Sequence, residues 1–146
     1  MSSEVPVAAT TSSEWLTVGI THTDQLAVVT ISGELDLASA PALHQGLQKT
    51  ASLGVREVIC DLSQLAYMDS TGLSVIISAH KRMESEGTAL VLLSPRPSVE
   101  RVLDITGVKE FLTVRSSADG GAPLQESRSG VRRSQRNLSS PADGAG

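Results

Sequence analysis

Met68-Asp69-Ser70-Thr71-Gly72-Leu73 places a carboxylate, two hydroxyls and a glycine at a change of pattern. Before it runs the β-branched apolar segment Val58-Ile59-Cys60-Asp61-Leu62, and after it a periodic helix begins near Ser70. A serine at a strand-to-helix junction has its hydroxyl beside the unpaired amides of a helix N-terminus. Such a serine can be a helix cap, a nucleophile or an acceptor of phosphate.

The nucleophile is the easiest role to test. A hydrolase elbow needs G-x-S-x-G, because the strand must turn sharply under the serine. Here the first glycine is replaced by Met68, and a general base is missing. The histidines are His22, His44 and His80, and His80 lies about 15 Å of axial rise further along the same helix. The Asp-Ser-Thr-Gly run also lacks the second carboxylate that an aspartic-protease dyad shares a proton with. No phosphate-cradling glycine loop, dinucleotide fingerprint or zinc spacing occurs. The residues thus point to no catalytic group, cofactor or metal.

The chain has 146 residues and a formal net charge of −4, which gives no nucleic-acid footprint. Residues 1–115 carry 8 basic and 13 acidic side chains, whereas 116–146 carry 4 Arg and 3 acids, so an acidic body precedes a slightly basic tail. Cys60 is the sole cysteine, which excludes an internal disulfide; in an apolar strand it reads as a small buried hydrophobe. No apolar run reaches the ~20 residues that span a bilayer. With no basic-then-apolar secretory segment evident, the expected location is cytoplasmic.

The elements that must position Ser70 follow from hydrophobic period. Residues 1–13 show no period and read as a flexible leader. Trp15 to Thr21 alternates as an edge strand, Thr23-Asp24-Gln25 turns the chain, and Leu26 to Ile31 returns as a buried strand, which predicts a hairpin. Ser39 is the expected N-cap of a helix with Pro41 in its first turn; Leu43, Leu47 and Ala51 form its stripe and Gly54 ends it. Val55 to Leu62 is a strand covered on both faces. A helix over Ser70 to Glu86 has Leu73, Ile76, Ile77 and Met83 on its apolar face and Gly87 as C-cap. Leu90 to Leu93 is a strand, Val99 to Thr106 a short helix stopped by Gly107, and Phe111 to Val114 the last strand. The order ββαβαβαβ predicts a single α/β domain with a mostly parallel or mixed sheet of four to five strands packed with helices. Residues 116–146, rich in Ser, Gly and Arg, bury too little surface to fold and are expected to be a disordered tail.

Two roles remain for Ser70, and they are compatible. Asp69 or Ser70 caps the helix, and a phosphate on Ser70 would meet the positive end of the helix dipole. Such a phosphate adds about −1.5 to −2 charge beside Asp69, so it would change what the surface binds more than how the chain folds.

Two motifs in register carry a family resemblance. Gly33-Glu34-Leu35-Asp36 after a strand, and Asp61-Leu62 leading through Leu65-Ala66-Tyr67-Met68 to Asp69-Ser70-Thr71-Gly72-Leu73, resemble the STAS domain of bacterial anti-sigma factor antagonists. Ser94-Pro95 before the third helix and Asp104-Ile105-Thr106-Gly107-Val108 after it agree with that order. The resemblance spans residues 14–115. It implies a protein that is not an enzyme: when unphosphorylated it binds an anti-sigma factor and so frees a sigma factor.

The implied partners are that anti-sigma factor, itself an ATP-using serine kinase, and a metal-dependent serine phosphatase. By position the implied phosphoacceptor is Ser70, and the implied partner surface is Asp36, Asp69, Ser70, Thr71 and Gly72. Another reading within the family is a scaffold or sensor subunit of a larger signalling assembly. The chain departs from the pattern at Ser74, where the family usually has glycine, and in its long tail, where Arg132-Arg133-Ser134 reads mainly as a solvated linker. Self-association is left open.

Overall fold

The structure, a computed structural model, describes residues 7–116. Among the described residues, six strands lie in one sheet in the order β1-β2-β3-β4-β5-β6. These are β1 (Val7–Ser12), β2 (Leu16–His22), β3 (Leu26–Leu35), β4 (Glu57–Met68), β5 (Ala89–Leu93) and β6 (Thr113–Arg115). The described residues also form three helices, α1 (Ala40–Ala51), α2 (Ser70–Ser85) and α3 (Pro97–Thr106), in an α/β fold. The β1/β2 and β2/β3 pairs are antiparallel, and the β3/β4 and β4/β5 pairs are parallel.

The expected hairpin is the β2–β3 pair, in register from Leu16↔Gly33 to His22↔Ala27. The expected flexible leader is corrected at residues 7–12, which form β1 along the outer edge of β2. Sequence period missed it because an edge strand is held chiefly by its backbone ladder. Its one buried hydroxyl, Thr11 Oγ1, donates to the Ala42 carbonyl of α1 at 2.8 Å. Residues 1–6 of the leader, and the tail from 117 on, lie outside the described residues. The last strand is also shorter than expected: Val108–Glu110 make a 3-10 turn, Leu112 is buried, and only Thr113–Arg115 extend the sheet.

Alternation in β2 and β3 sends Leu16, Val18, Ile20, Ala27, Val29 and Ile31 into one core beneath the helices. The stripes of α1 (Leu43, Leu47) and α2 (Leu73, Ile76, Met83) close on it. In β4, Val58, Ile59 and Cys60 are buried in succession, as a strand covered on both faces requires. Burial and then the charge of Asp61 push the Cys60 thiol up to about 12.

Helix ends obey their local chemistry. Gly87 (φ +81) follows the last residues of α2, and its amide bonds the Glu84 carbonyl while the Thr88 amide bonds that of Met83, a Schellman closure. Gly107 (φ +75) ends α3 in the same left-handed region. Lys109 Nζ then clasps Glu100 and Asp104 of α3, each at 2.8 Å. Burial opposes its charge, but the bonds to Asp104 and Glu100 prevail and hold its pKa above the usual lysine value.

The ladder between β3 and β4 is irregular at one end. Thr30 pairs with Asp61 and Leu35 with Met68, so β4 takes two more residues than β3 over this stretch, with shifts between Thr30/Ser32 and Gly33/Glu34. Bulges of this kind bend a strand and re-aim its side chains. They occur where β4 approaches Asp69.

Candidate functional site

Because β3 and β4 are parallel, Leu35 and Met68 end side by side, and the segments that follow them emerge at one edge of the sheet. The Asp69 amide donates to the Leu35 carbonyl at 3.1 Å, which locks the two exits together. Asp36 therefore stands beside Asp69 and Ser70. The two motifs that carry the family resemblance thus end at one edge of the sheet.

Asp69, not Ser70, is the helix cap. Its backbone is extended (φ −105, ψ −175) and its Oδ1 accepts from the Gly72 amide at 3.0 Å. Ser70 is the first residue of α2, exposed, and its hydroxyl has no hydrogen-bond partner among the described residues. The amides of Ser70 and Thr71, first in the helix, have no intrahelical acceptor and carry the positive end of the dipole. The hydroxyl is thus free to be modified while a separate residue does the capping.

Gly72 has a packing role. It is buried, and a Cβ there would collide with Cγ and Cδ2 of Leu35. Its backbone lets the first turn of α2 press onto the end of β3, so it sets where Ser70 sits and presents no side chain outward. Thr71 is half-buried. Ser74, the departure noted in the sequence, is exposed, and its hydroxyl donates back to the Ser70 carbonyl at 2.9 Å.

The Asp36 loop is closed on itself. Asp36 Oδ1 accepts from the amides of Ala38 (3.0 Å) and Ser39 (3.1 Å), and the Asp36 amide donates to Ser39 Oγ at 2.9 Å. Ser39 Oγ in turn donates to the Glu34 carbonyl at 2.7 Å. Ser39 occupies the N-cap position of α1 as expected, but its hydroxyl caps no helix amide and instead knots the loop from a fully buried position. One consequence is that Leu37 is held out in solvent, 73% exposed.

The third parallel strand adds a strained corner. Ser94, after β5 and before Pro95, has φ +55, a left-handed conformation costing about 1–3 kcal/mol in a non-glycine residue. A few residues on, Ser98 Oγ donates to the Ala66 carbonyl at 2.7 Å, tying α3 to the bulge in β4. Sequence reasoning singled out Asp36, Asp69, Ser70, Thr71 and Gly72; it named Leu35 and Tyr67 only within the motifs and Ser39 only as a helix cap, and it missed Leu37. A lone leucine gives no signal that it is held out in solvent. Among the described residues no group of three His, Cys, Asp or Glu is placed to hold a metal, and no helix is long and apolar enough to cross a membrane. A groove of about 80 Å³ between α1 and α2, lined by His44, Leu47, Val75 and Met83 among others, does not include the Ser70 junction.

Residues 17–120 match the STAS domain family. The anti-sigma-B factor antagonist of Bacillus subtilis is 38% identical over 93 residues, covering 64% of this chain and 84% of that protein. An anti-sigma factor antagonist from Mycobacterium paratuberculosis superposes with a TM-score of 0.63 at 24% identity, over 68% of this chain and 85% of that one. The Bacillus cell fate determinant SpoIIAA is similar in its unphosphorylated form (TM-score 0.57, 21% identity, 80% and 96% covered). In its phosphorylated form the match has a TM-score of 0.55 at 20% identity, with 82% and 100% covered. These structural likenesses carry the fold.

Proposed function

The chain belongs to the STAS domain family, and from that footing we propose that it is an anti-sigma factor antagonist switched by phosphorylation of Ser70. Its resemblance to the Bacillus subtilis antagonist supports this reading. The observation that carries it is local: an exposed, unbonded hydroxyl on the first residue of a helix whose cap is another side chain. In the unphosphorylated state the edge carrying Asp36, Asp69 and Ser70 binds an anti-sigma factor, which then releases its sigma factor.

That anti-sigma factor is also the kinase. Ser70 Oγ attacks the γ-phosphorus of the ATP held by the kinase, the bond to the bridging oxygen breaks, ADP leaves, and the hydroxyl proton passes to a base on the kinase. The product carries about −1.5 to −2 charge at the start of α2. The dipole and free amides tolerate it there, so the fold persists. On the surface, the new charge joins Asp69 and Asp36 and disfavours the contact that preceded it. Hydrolysis by a metal-dependent phosphatase restores the hydroxyl. The chain contributes the substrate and the docking edge, and its partners contribute the catalysis.

The test is phosphotransfer from ATP by a kinase recovered on the wild-type chain from its source cells. One phosphate on wild type and none on Ser70→Ala is expected. Phosphate on Thr71 or Ser134, or none at all, overturns the assignment.

A further inference from the structure

β1 lacks the protection that an edge strand usually carries. It ends the strand order, so its outer side pairs with nothing among the described residues. Natural edges are blunted by charge, proline, bulges or shortness, because an open row of backbone groups is a template for another strand. The opposite edge follows that rule: β6 is three residues long and ends in Arg115. β1 does not. Val7–Ser12 contains no charged residue, proline or glycine, and its ladder with β2 runs without a bulge. Beside it, Leu16–His22 has no Asp, Glu, Lys or Arg.

The ladder also fixes which backbone groups face outward. The Ser13 amide donates to the Leu16 carbonyl at 2.8 Å, so this rung at the close of the β1–β2 turn is hydrogen-bonded. Such rungs alternate in an antiparallel pair. Thr11, Ala9 and Val7 therefore bond inward to β2, and the N–H and C=O groups of Ala8, Thr10 and Ser12 point out. These three positions are self-complementary. A second β1, turned antiparallel about a two-fold axis through Thr10, sets Thr10 against its own copy and Ala8 against the Ser12 of that copy. Each pair exchanges two bonds, about six in all, and every outward group is used. An axis through Ala9 or Thr11 leaves one outward residue of each strand unpaired by the other. Thr11 bonds α1, and directly opposed residues share a face of the sheet. Both helical layers thus stay on one side.

Charge and symmetry select the occupant. Residues 1–115 carry 13 acidic and 8 basic side chains, so two copies repel in most approaches. Along β1 they meet without a charge on either strand. The contact is also closed, since each open edge consumes the other and only the short β6 edges remain. We infer that the chain pairs with a second copy of itself through β1, joining two sheets into one. β2 and β3 separate β1 from the strand that leads to Ser70, so each copy keeps that edge open. The inference stands apart from the reading of Ser70.

Sedimentation equilibrium of the full-length chain is expected to show a mass that rises with concentration from one copy to two and no further. Thr10→Pro removes the central outward N–H and spares the inward ladder, a change that an edge strand accepts on its solvent side. It is expected to weaken the dimer at least tenfold. Thr10→Cys sets two Cα atoms about 5.5 Å apart across the axis, within reach of a short bismaleimide. For Ser12→Cys the separation is about 14 Å, and far less product is expected. Wild type, whose one thiol is the buried Cys60, stays unlinked. A mass that remains that of one chain up to about 1 mM overturns the proposal. Growth beyond two copies, or a dimer that Thr10→Cys does not cross-link, overturns it as well. The cross-link is read on a conservative substitution, which keeps the test decisive even if Thr10→Pro fails to fold.

Discussion

Leu35 touches the proposed switch twice, through its carbonyl to the Asp69 amide at 3.1 Å and through its side chain, which fills the space beside Gly72. One buried residue at the end of β3 thereby sets both the height and the approach of the helix that begins with Ser70.

Gly72→Ala is expected to destabilise the protein by about 1–3 kcal/mol, the cost of forcing a methyl group into a packed contact. In an exposed helix the same change would stabilise, by up to about 1 kcal/mol. Urea denaturation decides the sign. Ser74→Ala, one turn along on the exposed face, is expected to stay within about 0.5 kcal/mol of wild type.

Asp69→Ala removes the side chain that accepts from the Gly72 amide, and a loss of about 0.5–2 kcal/mol is expected. Asp69→Asn keeps an acceptor oxygen and should recover most of it. Hydrogen exchange at the Gly72 amide localises the effect: faster in the alanine variant, near wild type in the asparagine variant.

For Ser39→Ala the expected loss is about 1–3 kcal/mol, since its buried hydroxyl both accepts from Asp36 and donates to the Glu34 carbonyl. Circular dichroism should remain native-like while the thermal midpoint falls. An unchanged midpoint would show that water replaces the knot.

Cys60 should resist thiol reagents in the native protein at neutral pH and react on unfolding, because it is fully buried and its pKa is pushed up to about 12. The unfolded thiol, with its ordinary value of 9.0, loses its proton first as pH rises. The native state then binds more protons than the unfolded one, so this stabilisation is complete below about pH 9 and is lost between there and about pH 12. Urea midpoints across the alkaline range should show that slope in wild type and not in Cys60→Ala.

Legibility in the sequence followed the physics of each feature. Long apolar periods marked β3, β4, α1 and α2, because burial on a defined face writes itself into spacing. The junction motif was legible as residues, whereas its meeting with Asp36 was implied by the family resemblance and needed the β3/β4 register to be seen. β1 was illegible, since backbone pairing at an edge asks little of side chains. So was the assignment of the cap between Asp69 and Ser70, because both residue types cap well and only the backbone angles choose. Trp15 was legible only as an edge-strand residue, and Glu34 and Tyr67 only as members of the two motifs: alternation identifies two faces but not which exposed positions a partner uses.

Under the proposed function, the closed loop of Asp36 and Ser39 bears on how related antagonists can coexist in one cell. Its polar groups are satisfied internally, so the identity of the 73%-exposed Leu37 above it is nearly free of folding cost. Duplicated copies of such a chain can drift at position 37 while the buried scaffold stays fixed, and so acquire separate addresses. Insulation between parallel signalling channels then costs a surface substitution and no rebuilding of the core.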